Sequence, residues 1–303
     1  MAGKALGRGW IAGAVLVVAA YGVGLGGIHA PKVGDEYLYR QIVRVTGESG
    51  HWLPLRSEEG ITDRKPFLFF WTGLAATDGG HVVTLVRLRA PIVAQTLLLA
   101  LLVFLWARRL TGRRERGLLA AALFLGFFST FRYGRTFLTN MPEALFTFAA
   151  WFGVWLASEV GLAKAPAAYW RRWLGVGLAL GVVLLHRSFV LWLPFFAAAK
   201  LFLIGERGGD WRRMAREDGP GLALAFVVSG LCFALWPLLD PQPGEILRTF
   251  LLDENMGKVN SGGYLRGLVV GDYNLTRIWL GHLFNAGPLA PLVVALPFVV
   301  FRA

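Results

Sequence analysis

Cysteine occurs once in 303 residues, at Cys232, and histidine five times. A lone thiol can form neither an intrachain disulfide nor a cysteine-cluster metal site. Cys232 lies inside an apolar run, where it reads as a small core residue. The histidines (His29, His51, His81, His186 and His282) are scattered, with no His-x-x-x-His pair, so no metal site is evident and no cofactor is indicated. Charge is scarce as well, at 17% of residues, where soluble domains carry about 25%. Together with 55% hydrophobic residues and a mean hydropathy of +0.53, this excludes an ordinary soluble enzyme.

What is abundant is apolar sequence in long runs. A bilayer core of about 30 Å asks for about twenty such residues per helix, and this chain has several runs of that kind. Twelve tryptophans and 22 phenylalanines fit aromatic belts at the two interfaces. The expected class is therefore an all-α polytopic membrane protein. The net charge of +12 raises nucleic acid as a partner. Lys and Arg fall mostly in short loops between apolar runs, however, and no basic face with interleaved aromatics lies outside those runs, so no nucleic-acid partner is expected.

The pattern predicts one transmembrane domain, 1–303, with eight spans at 10–28, 82–107, 118–131, 141–157, 173–185, 189–204, 222–239 and 278–301. The first run, preceded by Lys4 and Arg8, also fits a cleavable signal peptide. Its length and the spans that follow favour a retained helix. The split between 173–185 and 189–204 rests on charge. Arg171-Arg172 before it and Arg207, Arg212, Arg213 and Arg216 after it both read as cytoplasmic, which puts His186-Arg187 at an outer turn. Total basic counts do not orient the chain, but crowding does, because the basic residues assigned inside cluster in short loops such as 108–116. Both termini are then cytoplasmic, and loops 29–80 and 240–276 face outward.

Two stretches of the first outer loop draw attention. Asp35 can cap a helix whose apolar residues Leu38, Ile42 and Val45 recur at helical spacing, an amphipathic helix on the membrane surface. Pro66 permits a second start, with Phe67 to Trp71 dipping into the interface. Asp35-Glu36 reads equally as a helix N-terminus favoured by negative charge or as a general base toward an acceptor hydroxyl or amine. Arg64 and Lys65 read as interfacial snorkelling or as a phosphate clamp, and Arg132 and Arg135 invite the same two readings. Arg187, between two apolar runs, is costly unless it faces a cavity or a partner. Glu143 in the first turn of its span also reads as a helix-terminal charge.

The order of these motifs resembles the membrane glycosyltransferases of the GT-C fold, specifically the protein O-mannosyltransferase and aminoarabinose-transferase group, glycosyltransferase family 39-like. Asp35-Glu36 followed by Tyr39 matches that group's acidic motif. Asp63-Arg64-Lys65-Pro66-Phe67 with Trp71 matches its Lys-Pro-Pro-x-x-x-Trp segment, with Phe67 in place of the second proline. Arg87-Leu88-Arg89-Ala90-Pro91 resembles its arginine-containing start of the second span. Leu185-His186-Arg187-Ser188 sits where Leu-Thr-Lys-Gly is usual, and Asp253-Glu254-Asn255 where members carry an acidic-Asn pair. The resemblance covers nearly the whole chain. It departs at Asn140, where many members have an acid and the nearest carboxylate here is Glu143. It departs again in length, since members commonly continue through more spans and often a soluble outer domain. A C-terminal part missing from this chain is thus one expectation, beside a short branch of the fold and half of a split protein.

The resemblance implies inverting transfer of a sugar from a polyprenyl-phosphate carrier to an extracytoplasmic acceptor (protein, lipid A or another envelope glycan) at the outer face of a bacterial inner membrane. Asp35 would be the base and Glu36 its support. Lys65 and Arg187 would hold the carrier phosphate, with Arg64, Arg135, Glu143 and Asn140 contributing to substrate binding. The competing reading is a non-enzymatic transporter or flippase of an anionic lipid-linked substrate, in which the acids are structural.

Overall fold

Among the described residues, four helices are long and apolar enough to cross a bilayer by length and composition: Leu85–Thr111, Pro166–His186, Phe189–Glu206 and Gly219–Leu239. They belong to a computed structural model that describes residues 3–27, 34–163, 165–187, 189–256 and 275–300. Those residues are helical apart from turns and one two-stranded antiparallel hairpin, Arg56–Ser57 with Gly60–Ile61. His29, Lys164, Ser188, Lys258, Arg266, Asp272 and the end of the expected last span fall outside the described residues. The chain divides into two units, Met1–Arg40 with Val83–Met141 and Ser261–Ala303, and Gln41–Val82 with Pro142–Asn260.

The first unit contains α1 (Gly3–Gly22), the start of α2 (Glu36–Glu48), α4 (Leu85–Thr111), α5 (Arg114–Gly126), α6 (Phe128–Tyr133), α12 (Leu275–Ala286) and α13 (Ala290–Val300). The Thr84 hydroxyl accepts the Arg87 N–H at 3.3 Å and so caps α4. The helix stops at Gly112, whose φ of 67° suits glycine. At 27 residues α4 is about 40 Å long, ample for a bilayer. α5 folds back against it with Gly117 at the crossing, where an added Cβ would lie 2.7 Å from the Phe104 carbonyl oxygen. The expected third span is broken, because Phe127 is extended (ψ 133°) and separates α5 from α6. Thirteen residues reach only about 20 Å, short of the hydrocarbon thickness. The last expected span is interrupted too, by a 3-10 turn at Gly287–Leu289.

The second unit packs α7 (Asn140–Ser158), α8 (Pro166–His186), α9 (Trp192–Glu206), α10 (Trp211–Glu217) and α11 (Gly219–Leu239) around Val154, Tyr169, Trp173, Leu180, Phe195 and Ala225. α8 and α11 approach closely through small residues, since a Cβ on Gly177 would come within 3.0 Å of the Ala225 backbone. One on Gly181 would lie 2.4 Å from the Cys232 Cβ, so the single thiol sits on a tight helix crossing. Arg171 and Arg172, expected in a loop, lie within the early turns of α8, and Arg172 reaches back to the Leu156 carbonyl near the end of α7.

Two surface expectations are corrected. α2 buries Tyr39, Ile42, Val43 and Thr46, while Leu38 is exposed. The stripe is thus displaced from Leu38-Ile42-Val45, because Thr46 is held inside by the Arg56 backbone, accepting its N–H at 2.8 Å. α3 (Phe67–Ala76) buries Phe67, Phe69 and Phe70 instead of presenting them to an interface. A helix apolar all round is a core helix, and α3 packs on α8.

Candidate functional site

In the second unit, chain geometry carries two cations to helix ends. Pro66 stands at the N-cap of α3 with an extended backbone (φ −62°, ψ 153°), and a proline disfavours helix in the residue before it, so Lys65 is held off the helix start. Arg187 follows the last turn of α8, its N–H donating to the Val183 carbonyl at 3.1 Å, where unpaired carbonyls favour a positive charge. Neither cation is free. Lys65 Nζ donates to Glu254 Oε1 at 2.8 Å, and Arg187 Nη1 pairs with Glu143 Oε2. The Lys65 charge also acts on Glu143, so the two pairs are electrically joined. All four side chains keep partial exposure, which leaves them accessible to a polar ligand. Glu254 stands on a π-helical segment, Ile246–Met256, a rare wide-turn form that is frequent at functional sites.

Beside Lys65 in sequence is a group of a different kind. Asp63 is 2% exposed, and neither carboxylate oxygen has a hydrogen-bond partner among the described residues. Burial and the nearby charges of Asp240 and Glu245 push its carboxyl up to about 7. Asp63 belongs to the Asp63-Arg64-Lys65-Pro66 stretch, and the two acids that act on it lie far away in sequence. Arg64 is exposed, with no ion pair or hydrogen bond among the described residues.

The first unit holds the acidic motif, and its two carboxylates differ sharply. Asp35 is exposed at the head of α2; its carbonyl accepts the Tyr39 N–H at 2.9 Å, and Oδ2 lies 3.4 Å from the Tyr39 hydroxyl. Glu36 is buried. Its oxygens accept from Arg89 Nε at 2.7 Å and Nη2 at 2.6 Å, and Oε1 also accepts the Phe137 N–H at 2.7 Å. Arg89, 3% exposed, adds bonds from Nη1 to the carbonyls of Leu25 (2.8 Å) and Gly27 (3.2 Å). Glu36 is therefore committed to a buried, fully hydrogen-bonded clamp. Arg135 is committed similarly. It donates to the carbonyls of Tyr21, at 3.1 Å, and Val23, capping the end of α1, and stacks over Phe131. Asn140 is the half-buried first residue of α7.

Residues 64–236 match the family described as dolichyl-phosphate-mannose-protein mannosyltransferase, an interval that contains Lys65, Glu143 and Arg187. Over 157 residues the chain is 27% identical to the undecaprenyl phosphate-alpha-4-amino-4-deoxy-L-arabinose arabinosyl transferase 2 of Proteus mirabilis, which is 52% of this chain and 28% of that protein. Its fold matches the crystal structure of ArnT from Cupriavidus metallidurans in the apo state, with a TM-score of 0.62, 21% identity, and coverage of 90% of this chain and 49% of that one. The same enzyme bound to undecaprenyl phosphate gives a TM-score of 0.63, 20% identity, and coverage of 88% and 48%. The chain thus spans about half the length of those structures. Its apolar helices make it a multi-pass membrane protein with the helical architecture of ArnT. With more than half of its residues matched, the chain belongs to the dolichyl-phosphate-mannose-protein mannosyltransferase family of membrane glycosyltransferases.

Proposed function

We propose that this protein transfers a sugar from a polyprenyl-phosphate carrier, of the undecaprenyl type, to an extracytoplasmic acceptor at a bacterial inner membrane. The observation that carries this reading is the joined pair of cations at helix ends: Lys65 and Arg187 both act on Glu143, and both remain partly exposed. A phosphate diester gains from such a site because the leaving phosphate gathers negative charge as the sugar departs. Lys65 serves as a point charge and Arg187 as a fork. Asp35, exposed and without a cationic partner among the described residues, takes the proton of the acceptor hydroxyl or amine. The acceptor atom attacks the anomeric carbon, the carbon–oxygen bond to phosphate breaks, and the carrier phosphate leaves, so the anomeric centre inverts. Glu36 holds the start of α2 in place and contacts no substrate. The acceptor is a protein, lipid A or another envelope glycan. Eight membrane passes, the third shared by α5 and α6 and the last by α12 and α13, with both termini cytoplasmic and the two long loops outward, complete the reading.

The test is binding of undecaprenyl phosphate to the full chain in nanodiscs. Removing a charge-assisted hydrogen bond costs about 1.5–3 kcal/mol, so Lys65→Ala and Arg187→Ala should each weaken binding by about tenfold or more. Unchanged affinity in both variants would refute the phosphate-holding roles.

A further inference from the structure

The turn between α4 and α5 gathers Arg108, Arg109, Arg113, Arg114 and Arg116 around one acid, Glu115, and all six are exposed. Among the described residues, Arg108, Arg113, Arg114 and Arg116 have no ion pair and no side-chain hydrogen bond, and Glu115 pairs with none of them. The backbone drives these charges together. Gly117 lets the first turn of α5 press on α4, where an added Cβ would lie 3.1 Å from the Arg108 Cβ. Arg114 and Arg116 occupy that first turn, against the helix macrodipole, which favours acids there. The N-cap residue, Arg113, gives the turn no side-chain hydrogen bond. Like charges set this close repel, and the arrangement costs stability unless an anion lies among them.

The depth of the turn in the bilayer identifies the anion. α4 is about 40 Å long and the hydrocarbon core about 30 Å thick, so the last turn of α4 stands among the headgroups. Trp106 is exposed two residues before Arg108, as an interfacial aromatic would be. Leu105 and Leu110 are exposed on either side of the Arg108-Arg109 pair, so apolar surface borders the charge. We infer that the α4–α5 turn binds an anionic phospholipid of the surrounding bilayer. Arg108, Arg113, Arg114 and Arg116 hold its phosphate with guanidinium forks, and its acyl chains lie along the end of α4. Basic loops also orient a chain during insertion, but that role asks only for charge in the loop and gives the folded protein no lipid preference. α10 offers a weaker rival, because Arg213 is paired with Glu217 and Arg212 lies over the Trp211 ring.

The experiment titrates the full chain, in a neutral detergent, with phosphatidylglycerol or phosphatidylcholine and follows the tightest-bound lipid by native mass spectrometry. The expected result is phosphatidylglycerol bound about tenfold or more tightly than phosphatidylcholine. Combining Arg113→Gln, Arg114→Gln and Arg116→Gln should remove that difference. Combining Arg113→Lys, Arg114→Lys and Arg116→Lys should keep most of it, which separates lost charge from lost fold. An equal loss of charge on α10, by Arg212→Gln, Arg213→Gln and Arg216→Gln, should leave it unchanged. Equal binding of the two phospholipids overturns the inference, as does a preference that survives the glutamine variant of the turn or falls as far in the α10 variant. Displacement of phosphatidylglycerol by an equal concentration of undecaprenyl phosphate overturns it in favour of the carrier lipid as occupant. Lys65, Arg187 and Asp35 are intact in every variant, so the lipid site and the transferase reading stand or fall separately.

Discussion

Replacing Asp63 with Asn should stabilise the protein at alkaline pH, an unusual outcome for a substitution at a buried position. The magnitude follows from the carboxyl, whose ordinary value of 3.8 is pushed up to about 7 in the folded chain. Between those values the folded state holds a proton that the unfolded state has released. Stability therefore falls as pH rises through this window and is level above it. A displacement of roughly 3 units at about 1.4 kcal/mol per unit puts the cost of ionised Asp63 near 4 kcal/mol at pH 8. Asparagine removes the charge but leaves a buried amide short of partners, which costs about 1–3 kcal/mol. The net gain at pH 8 is then roughly 1–3 kcal/mol, while at pH 4 the variant is equal to or slightly less stable than the wild type. Thermal midpoints of both proteins in one detergent, from pH 4 to 9, read this directly. The wild-type curve should decline between about pH 4 and 7 relative to that of the variant, and the two should cross. Parallel curves over the whole range would refute the assignment of an uncompensated buried carboxylate.

Two further perturbations probe the charged pairs. Glu36→Gln or Arg89→Met alone should destabilise the first unit by about 3–5 kcal/mol, because each leaves its buried partner uncompensated. The double variant should recover much of that loss in a double-mutant cycle of unfolding free energies; strict additivity would count against the clamp. Glu254→Gln should tighten undecaprenyl phosphate binding, since it frees Lys65 from a competing carboxylate. A partly exposed pair of this kind is worth about 0.2–1 kcal/mol, so the gain is up to about fivefold by isothermal titration, and weaker binding would contradict competition at Lys65.

Much of the architecture is legible in the sequence where a residue acts locally. Gly112 ends α4, Pro66 and Pro166 open α3 and α8, apolar run length marks α4 and α11 as membrane-crossing, and flanking charge separates α8 from α9. What is illegible is what depends on distant partners. Arg89 and Glu36 are 53 residues apart, and Arg135 and Tyr21 are 114, so nothing local separates a clamping arginine from one that binds substrate. The α2 stripe is misread for a related reason. Tyr39 and Thr46 look polar in a window, yet Thr46 is buried because the Arg56 backbone satisfies its hydroxyl. The break at Phe127 carries no proline and, marked only by the adjacent Gly126, hides within an apolar run. Among the candidate residues, Lys65, Arg187 and Glu143 stand in one charged cluster, while Glu36 and Arg135 are spent on structure.

Sugar transfer by the Asp35→Asn variant tests the account at its centre. The full chain in nanodiscs would receive undecaprenyl-phosphate donors carrying a pentose or a hexose, together with envelope acceptors, and release of undecaprenyl phosphate would be followed. Loss of a general base lowers the rate by about 10²–10⁴-fold, and the account predicts such a fall with undecaprenyl phosphate binding left intact. Transfer at the wild-type rate by Asp35→Asn would contradict it.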